Sequence, residues 1–329
     1  MQILIVRLGS IGWLHLGILR ALDPAPRITI WRHGGPAAAA EVPDGVDVVY
    51  DLDAALAAAP DAALLCGPAS EHVEIARLLA ERGIHIFIEK PISDRAEGVA
   101  ELIALCAQRR LVLMVGYCLR FHPAVAGLRA EVAAGAIGRA LHTQAEVGQL
   151  LAERRSGATV APMVGARAAL GGGVLFELSH EIDYLCWVLG RPGAVSASLA
   201  RLGEQTLDAE DCADLLLEFP GGVRGTIHLD WLSQPARRSC TIIGTEGTLR
   251  ADLGAGSLDC FEAATGTWRS IVPAAPDRIA ATYRLEIEHF LACIATGAAP
   301  LISGVAALET LDVVLAAKRA VAAGRRITF

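Results

Sequence analysis

The sequence has few aromatic residues, few charges and no long basic run, and each shortage excludes a class of protein. Only 5% of its 329 residues are aromatic and 20% are charged. No basic run is longer than two residues and the net charge is -7, so we expect neither a nucleic acid nor an anionic membrane as a partner. The chain is mainly apolar, with 53% hydrophobic residues, and this excludes intrinsic disorder.

The sequence also lacks a clear membrane span and a signal peptide. The longest uncharged stretch, 290–308, contains Thr296-Gly297 and Pro300, which predict a helix end, a turn and a second helix start. The N-terminus has no basic region followed by a long apolar one. The eight cysteines form no C-x-x-C pair and lie mostly in apolar runs, which indicates buried free thiols in a reducing cytoplasm. We therefore expect a cytoplasmic protein.

The chain is long enough for two domains, and its rhythm changes near residue 120. Before that point, strand-like runs alternate with helical stretches, which predicts right-handed βαβ units and a parallel sheet. The predicted strands are 2–6, 27–32, 46–50, 62–66, 84–88 and 111–115. We expect an α/β domain with a parallel sheet over 1–120.

Residues 121–329 are expected to form a second α/β domain. Short strands with period-two alternation and Pro-Gly-Gly or Thr-Glu-Gly turns dominate from about 195 to 270, which predicts an antiparallel sheet. One helix is predicted over Leu175–Leu189, and further helices over Tyr283–Thr296 and Gly304–Ala323. Whether the C-terminal helix packs back on the first domain stays open.

A glycine-containing turn follows the first predicted strand. A strand, such a turn and a helix together can grip a pyrophosphate, because the N–H groups and the dipole at a helix N-terminus favour an anion. Gly9 and Gly12 match the second and third glycines of the dinucleotide fingerprint, and Arg7 stands in place of the first. The pattern predicts a dinucleotide site and leaves a simple strand-to-helix turn as the alternative.

The second strand ends in Trp31-Arg32-His33, where an NAD enzyme would carry an acid for the ribose. A guanidinium at Arg32 would stack on adenine and pair with a 2′-phosphate, which favours NADP over NAD. A solvated arginine at the strand end is the alternative.

Three later motifs occur in order along the chain: Ile88-Glu89-Lys90-Pro91 ends the fifth strand, GYCLRFHP at 116–123 ends the sixth, and GGGVLFELSHEIDY at 171–184 opens a helix in the second domain. With these motifs the chain resembles the Gfo/Idh/MocA family, which includes glucose–fructose oxidoreductase and inositol dehydrogenase. The resemblance runs nearly end to end and includes IGTEGTL at 243–249.

The resemblance implies an N-terminal Rossmann domain with a doubly wound parallel sheet over 1–120, and a C-terminal α/β domain with a large, mostly antiparallel open sheet over 121–329. It also implies a nicotinamide cofactor, NAD or NADP, across the ends of the parallel strands and a substrate between the domains. Most members interconvert a secondary hydroxyl and a ketone on a sugar, a cyclitol or a nucleotide sugar, and the sheet commonly builds dimers or tetramers. We therefore expect an NAD(P)-dependent oxidoreductase that acts on a small sugar-like or cyclic polyol substrate and forms a homodimer or homotetramer.

The resemblance also assigns site residues. Lys90 is expected to reach the nicotinamide ribose and to stabilise a developing alkoxide, while Pro91 fixes the turn that aims it. His180 is the expected general acid/base, with Glu177 and Asp183 one helical turn away on the same face. No metal is expected, because no third ligand accompanies Glu177 and His180. The other expected contacts are Leu8, Gly9, Ser10, Ile11, Gly12, Arg32, His33, Gly67, Pro68, His72 and Glu89 with the cofactor, and Tyr117, Arg120, Glu177 and Asp183 with the substrate.

Four departures from the family pattern bear on function. Arg7 replaces a glycine, so the turn must adopt a conformation that an L-residue tolerates. Cys118 stands where a polar residue such as Asn is more usual, and Glu177 stands where Asp is more usual. The segment 157–164 is nearly all apolar. These changes predict a substrate that is less polar than a free sugar, or held differently.

Two alternatives to a simple dehydrogenase remain. Arg7 is consistent with a binding protein of the same fold that has lost its cofactor. An enzyme that holds NAD tightly and recycles it within one turnover, as in elimination or epimerisation, is the other.

Overall fold

The computed structural model describes residues 1–22, 27–32, 44–150, 165, 167–203, 207–275 and 278–329. The chain forms two compact units. The first comprises residues 1–117 and 283–308, and the second comprises residues 118–282 and 309–329. The end of the first unit's main segment lies close to the predicted boundary at residue 120, but the first unit also takes a segment from near the C-terminus.

The first unit contains a six-stranded parallel sheet of order β3-β2-β1-β4-β5-β6. Its strands are β1 Gln2–Val6, β2 Arg27–Trp31, β3 Val46–Val49, β4 Ala62–Leu65, β5 His85–Ile88 and β6 Leu113–Val115. Every residue of β4 is buried, which explains why the central strands read as unbroken apolar runs. The strand order reverses between β1 and β4, and open α/β sheets bind ligands at such a reversal.

Four helices connect these strands, and two later helices add residues to the same unit. They are α1 Ser10–Leu22, α2 Leu52–Ala57, α3 Ala69–Ala80, α4 Val99–Gln108, α8 Arg278–Thr296 and α9 Gly304–Ala323. The boundary between the units falls inside α8 and again inside α9. The ring of Phe290 on α8 packs edge-on against Phe87 on β5, with centroids 5.6 Å apart. This contact builds α8 into the core of the first unit.

The second unit contains a nine-stranded sheet of order β14-β13-β12-β11-β7-β10-β9-β8-β15. Its strands are β7 Ala140–Gly148, β8 Ala194–Ala200, β9 Cys212–Glu218, β10 Arg224–Asp230, β11 Arg237–Gly244, β12 Gly247–Asp252, β13 Ser257–Glu262, β14 Thr267–Val272 and β15 Ile327–Thr328. All neighbouring strands are antiparallel except β7 and β10, which run parallel. The unit's other helices are α5 Pro123–Ala133, α6 Val174–Glu177 and α7 His180–Leu189.

The α/β class and the combination of a parallel sheet with a mostly antiparallel sheet are confirmed. The turn predicted within 290–308 is also confirmed, since α8 ends at Thr296 and α9 begins at Gly304. The single helix predicted over Leu175–Leu189 is wrong, because the chain leaves helical geometry between α6 and α7. All eight cysteines are free and buried, as predicted. None of the described helices combines the length and the hydropathy that a membrane crossing requires.

Candidate functional site

The turn after β1 keeps the backbone of a dinucleotide fingerprint although its first glycine is missing. Arg7 has φ of 71°, in the left-handed region that normally favours glycine. Its N–H donates to the Trp31 carbonyl oxygen at 2.9 Å, which ties the turn to β2. The substitution therefore changes the side chain and leaves the shape of the turn. The hypothesis of a binding protein without a cofactor was based on Arg7 distorting this turn, and the turn is not distorted.

Gly9 and Gly12 serve two different purposes in this turn. A Cβ added at Gly12 would lie 2.7 Å from the Arg7 carbonyl oxygen, so only glycine lets α1 start so close to β1. A Cβ at Gly9 would meet no described atom within 4 Å, and Gly9 and Ser10 are exposed. The backbone there is open to a ligand at the start of α1. The first N–H groups of a helix have no partner within the helix, so the geometry of residues 8–12 is compatible with a pyrophosphate, and the contact stays a prediction.

The side chain of Arg7 lies across the end of β4 and pairs with α3. Its Nη2 donates to both carboxylate oxygens of Glu71, each at 2.6 Å. A Cβ added at Gly67 would lie only 3.0 Å from the Arg7 Cγ, so the absence of a side chain at Gly67 makes room for the arginine. A cavity of about 290 Å³ adjoins this ion pair, and its lining residues are Val6, Arg7, Trp31, Glu71, Glu74, Ile75 and Leu78.

Arg32 directly follows β2, and its residue is 8% exposed. Arg32 is therefore buried, and the alternative of a solvated arginine at the strand end is wrong. Its N–H donates to the Val49 carbonyl oxygen at 2.9 Å, which fixes the backbone at this point. His33, the next predicted cofactor residue, lies outside the described residues, as does the apolar segment 157–164.

His72 on α3 connects two turns of the first unit. Its Nδ1 lies 2.9 Å from the Pro91 carbonyl oxygen and its Nε2 lies 3.0 Å from the Gly67 carbonyl oxygen. Burial lowers the pKa of His72, although both carbonyl contacts oppose this. The neutral ring can then donate only one of these two hydrogen bonds at a time. These contacts tie His72 to the turn that contains Lys90 and Pro91, and its predicted contact with a cofactor stays a prediction.

Lys90 follows β5 at the carboxyl edge of the parallel sheet, and its peptide bond to Pro91 is cis. The preceding residue, Glu89, contacts α1. Its carboxylate is buried, and Oε1 lies 2.5 Å from Nε2 of the fully buried His15 on α1. Glu89 was predicted to contact the cofactor because it belongs to the Glu-Lys-Pro motif of the family resemblance, and that contact stays a prediction.

A third buried group, Glu286 on α8, joins His15 and Glu89. One ligand-type atom from each of the three residues lies within 4.8 Å of the others. Burial, together with the negative charge of Glu89, raises the pKa of Glu286 well above its usual range. The same two carboxylates contribute to a raised pKa of the neighbouring Cys66 thiol, for which burial is the main cause. Sequence reasoning missed His15 and Glu286; the available signal was a polar residue on the apolar face of a helix.

In the second unit, His180 is the first residue of α7 and is 7% exposed. Glu177 ends α6, and the connecting residue Leu178 has φ of -108° and ψ of 25°. The prediction that Glu177 and His180 share a face of one continuous helix is therefore wrong. Glu177 instead packs beside Gly165, where an added Cβ would lie 3.2 Å from the Glu177 Cγ.

Arg120 and Asp183, both predicted to contact the substrate, bind each other. The Arg120 Nε and Nη2 donate to the two oxygens of Asp183 at 2.9 and 2.7 Å, and Asp183 Oδ1 also accepts from the Thr310 hydroxyl at 3.2 Å. Both residues are almost fully buried. A buried carboxylate with three donors is already satisfied, so this pair fixes α7 against the chain before α5 and does not present a free group to substrate.

Tyr117, a predicted substrate contact, and Glu181, which follows His180, are both buried. Tyr117, a predicted substrate contact at the end of the first unit's main segment, is 1% exposed. Glu181, next to His180, is fully buried and accepts from Nε and Nη2 of Arg238 at 2.7 and 2.9 Å. The sequence gave no spacing that would pair Glu181 with a residue on β11, because the contact depends on tertiary packing.

Residues 8–12, which we call the phosphate cradle, follow β1, and Lys90 follows β5. Both lie at the carboxyl edge of a doubly wound parallel sheet, and this arrangement defines a dinucleotide-binding protein of the α/β class. Residues 1–117 match the model of the oxidoreductase family with an NAD-binding Rossmann fold, and residues 125–250 match the GFO/IDH/MocA C-terminal domain. The chain belongs to the Gfo/Idh/MocA family of NAD-binding oxidoreductases.

Relatives and solved structures agree with this assignment. The chain is 26% identical to a scyllo-inositol 2-dehydrogenase (NAD(+)) of Bacillus subtilis (strain 168) over 78% of this chain and 74% of that protein. It is 29% identical to an inositol 2-dehydrogenase of Rhizobium meliloti (strain 1021) over 98% of this chain and 97% of that protein. A levoglucosan dehydrogenase in complex with NADH has the same fold, with a TM-score of 0.87, 22% identity and coverage of 100% of this chain and 98% of that one.

Proposed function

We propose that this protein is an NAD(P)-dependent dehydrogenase or reductase that interconverts a secondary hydroxyl and a ketone on a cyclic polyol or a sugar-like molecule. The observation that carries the proposal is the arrangement at one edge of the parallel sheet. The phosphate cradle follows β1, Lys90 follows β5, and β4 is the one strand that lies between β1 and β5 in the sheet. The names of the inositol dehydrogenases support the substrate class.

The chain supplies binding, orientation and proton handling for this reaction. When bound, the nicotinamide ring accepts or donates the hydride. Residues 8–12 hold the pyrophosphate, with Arg32, Gly67 and Pro68 contributing on either side of the cradle. The Lys90 ammonium stabilises negative charge on the substrate oxygen, and His180 takes or returns the hydroxyl proton. The turn braced by His72 keeps the lysine in place.

The polar groups near His180 support a substrate less polar than a free sugar. Arg120 and Asp183 satisfy each other, and Glu181 is satisfied by Arg238. Substrate recognition then depends on fewer charged groups, with Glu177 as the proposed contact. Anhydro sugars, which carry fewer free hydroxyls than the parent sugar, are the substrates to test first, and cyclitols are tested beside them.

The test is turnover by full-length protein with each cofactor and a panel of cyclitols, sugars and anhydro sugars. Lys90→Met is expected to lower kcat by about two orders of magnitude or more and to leave cofactor binding measurable. The chain has one other lysine, Lys318, so Lys318→Met is a matched control. His180→Asn is expected to lower kcat and to remove a limb of the pH profile. Unchanged turnover in Lys90→Met contradicts the proposal.

We also propose a cytoplasmic homo-oligomer that assembles through the nine-stranded sheet and has no nucleic acid partner. The strand registers place Leu216, Ile243 and Trp268 on the same face, and these residues are 60%, 42% and 47% exposed. Large apolar side chains exposed together on one face are typical of an interface.

Light scattering coupled to size exclusion tests the assembly. Leu216→Glu is expected to lower the measured mass to that of one chain. Leu202→Glu is the control, because Leu202 is 66% exposed and lies outside the sheet. A mass of one chain in the wild-type protein contradicts this proposal.

A further inference from the structure

Arg7 is accommodated by two other residues of the first unit. Its backbone takes the left-handed conformation with φ of 71°. Gly67, in ordinary backbone geometry, leaves the space that the arginine side chain crosses. Glu71 then receives the guanidinium at 2.6 Å. The Arg7 backbone conformation, the space beside Gly67 and the charge of Glu71 thus all accommodate the Arg7 side chain.

Stability alone does not explain this arrangement. A non-glycine residue in the left-handed region is strained, and glycine would relieve the strain at once. The ion pair contributes little in return, because the side chains of Arg7 and Glu71 are 26% and 34% exposed and partly solvated pairs are weak. A costly side chain with little benefit to folding indicates a role in binding.

The position of the guanidinium shows what it can bind. It lies beside the cavity of about 290 Å³ next to the phosphate cradle, and two acids, Glu71 and Glu74, line that cavity with it. A dinucleotide brings at least two negative charges to this edge. Without Arg7 the two carboxylates would repel them. A guanidinium fork binds phosphate with the same bidentate geometry that it uses for carboxylate.

We propose that Arg7 is a phosphate-binding residue of the cofactor cradle and that Glu71 is the counter-ion it leaves when the dinucleotide binds. This inference rests on the proposed function, since it requires a nicotinamide dinucleotide as ligand. Glu71 competes with the cofactor phosphate for one guanidinium and so weakens cofactor affinity. Because Glu71 is partly exposed, water replaces the arginine when the pair separates.

The experiment titrates NADH and NADPH into the full-length protein and follows nicotinamide fluorescence, so it needs no turnover. Arg7→Gly restores the fingerprint glycine yet is expected to weaken binding about tenfold and to reduce its salt dependence. Arg7→Lys keeps the charge, loses the fork and is expected to bind with intermediate affinity. Glu71→Gln is expected to tighten binding roughly threefold to tenfold, because the competing anion is gone.

The matched control is Glu74→Gln, which removes the same charge from the same helix and the same cavity. Glu74 makes no contact with Arg7 among the described ion pairs, so its effect is expected to be equal in the wild-type and Arg7→Gly backgrounds. In the Arg7→Gly background the effect of Glu71→Gln is expected to fall to that of Glu74→Gln, because only the repulsion between the carboxylate and the phosphate is then left to remove. If Arg7→Gly fails to fold by circular dichroism, the comparison of Glu71→Gln with Glu74→Gln decides the question.

The failures of the two proposals look different. Wild-type protein that binds neither NADH nor NADPH overturns the proposed function and this inference with it. Wild-type binding with equal or tighter binding by Arg7→Gly overturns only the role of Arg7 and identifies the guanidinium as an obstruction. Equal effects of Glu71→Gln and Glu74→Gln likewise overturn the role of Glu71.

Discussion

Replacing Glu286 by glutamine should make the stability of the protein less dependent on pH. Glu286 is fully buried beside Glu89, His15 and Cys66, and burial together with the Glu89 charge raises its pKa well above 4.5. The folded protein therefore keeps a proton on Glu286 that the unfolded chain has already released. Glutamine has nearly the same shape and cannot ionise, so it preserves the packing and removes this proton.

The sign and the size follow from proton linkage. Between the ordinary carboxyl pKa and the raised folded pKa, the native state binds more protons than the unfolded state, so stability falls as pH rises. One proton is worth about 1.4 kcal/mol per pH unit over that interval. The wild type should lose stability relative to Glu286→Gln at up to this rate. The buried amide adds a penalty of about 1–3 kcal/mol that does not change with pH, so the slope is the diagnostic quantity.

Urea unfolding followed by far-ultraviolet circular dichroism at a series of pH values measures this slope. Glu288→Gln is the matched control, because Glu288 lies on the same helix, is 40% exposed and pairs with Arg284. It is expected to follow the wild-type slope and to lose no more than about 1 kcal/mol. Identical slopes for the wild type and Glu286→Gln would refute the protonated, buried state of Glu286.

Three further outcomes are expected. Gly12→Ala should lose cofactor affinity in fluorescence titration and lower the Tm, because its Cβ would lie 2.7 Å from the backbone oxygen of Arg7, which cannot move away like a flexible side chain. Asp183→Asn should cost about 3–5 kcal/mol in urea unfolding, since it leaves the buried Arg120 without its counter-charge; a loss below about 1 kcal/mol would contradict the buried pair. His122, whose pKa burial lowers to about 4, should make the protein less stable as pH falls from about 6.5 to 4, because the unfolded state then binds the extra proton. The His122 Nδ1 accepts from the Ala124 N–H at 3.2 Å and so caps α5. His122→Asn keeps such a cap and should remove this acid sensitivity in thermal melts measured at each pH.

Sequence patterns predicted what depends on local spacing. The parallel strands are short apolar runs with turn residues between them, and the cradle at Gly9 and Gly12 is a local motif, so both could be located from the chain alone. The parallel pairing of β7 with β10 could not, because alternation marks a strand without naming its neighbour.

The predicted site was less accurate where side chains have a choice of partner. Arg120 and Asp183 are 63 positions apart and could each have faced a substrate, but the tertiary structure pairs them. Glu89 likewise has a buried partner in His15. Lys90 and His180 were assigned through motifs whose order along the chain restricts the alternatives, and their roles are predictions that the turnover measurements test.

Because the first unit is discontinuous in sequence, residues 1–117 depend on residues 283–308 to complete their core. The N–H of Val115 on β6 donates to the Ile302 carbonyl oxygen at 3.0 Å, and Phe87 on β5 needs Phe290 as its packing partner. During synthesis these partners emerge more than 170 residues after β6, so the nucleotide-binding unit cannot complete its core when its own parallel strands have been made. A fragment cut after Tyr117 would expose the surface that α8 covers and would tend to aggregate. Domain transplants should therefore carry 283–308 joined to 1–117 by a new linker.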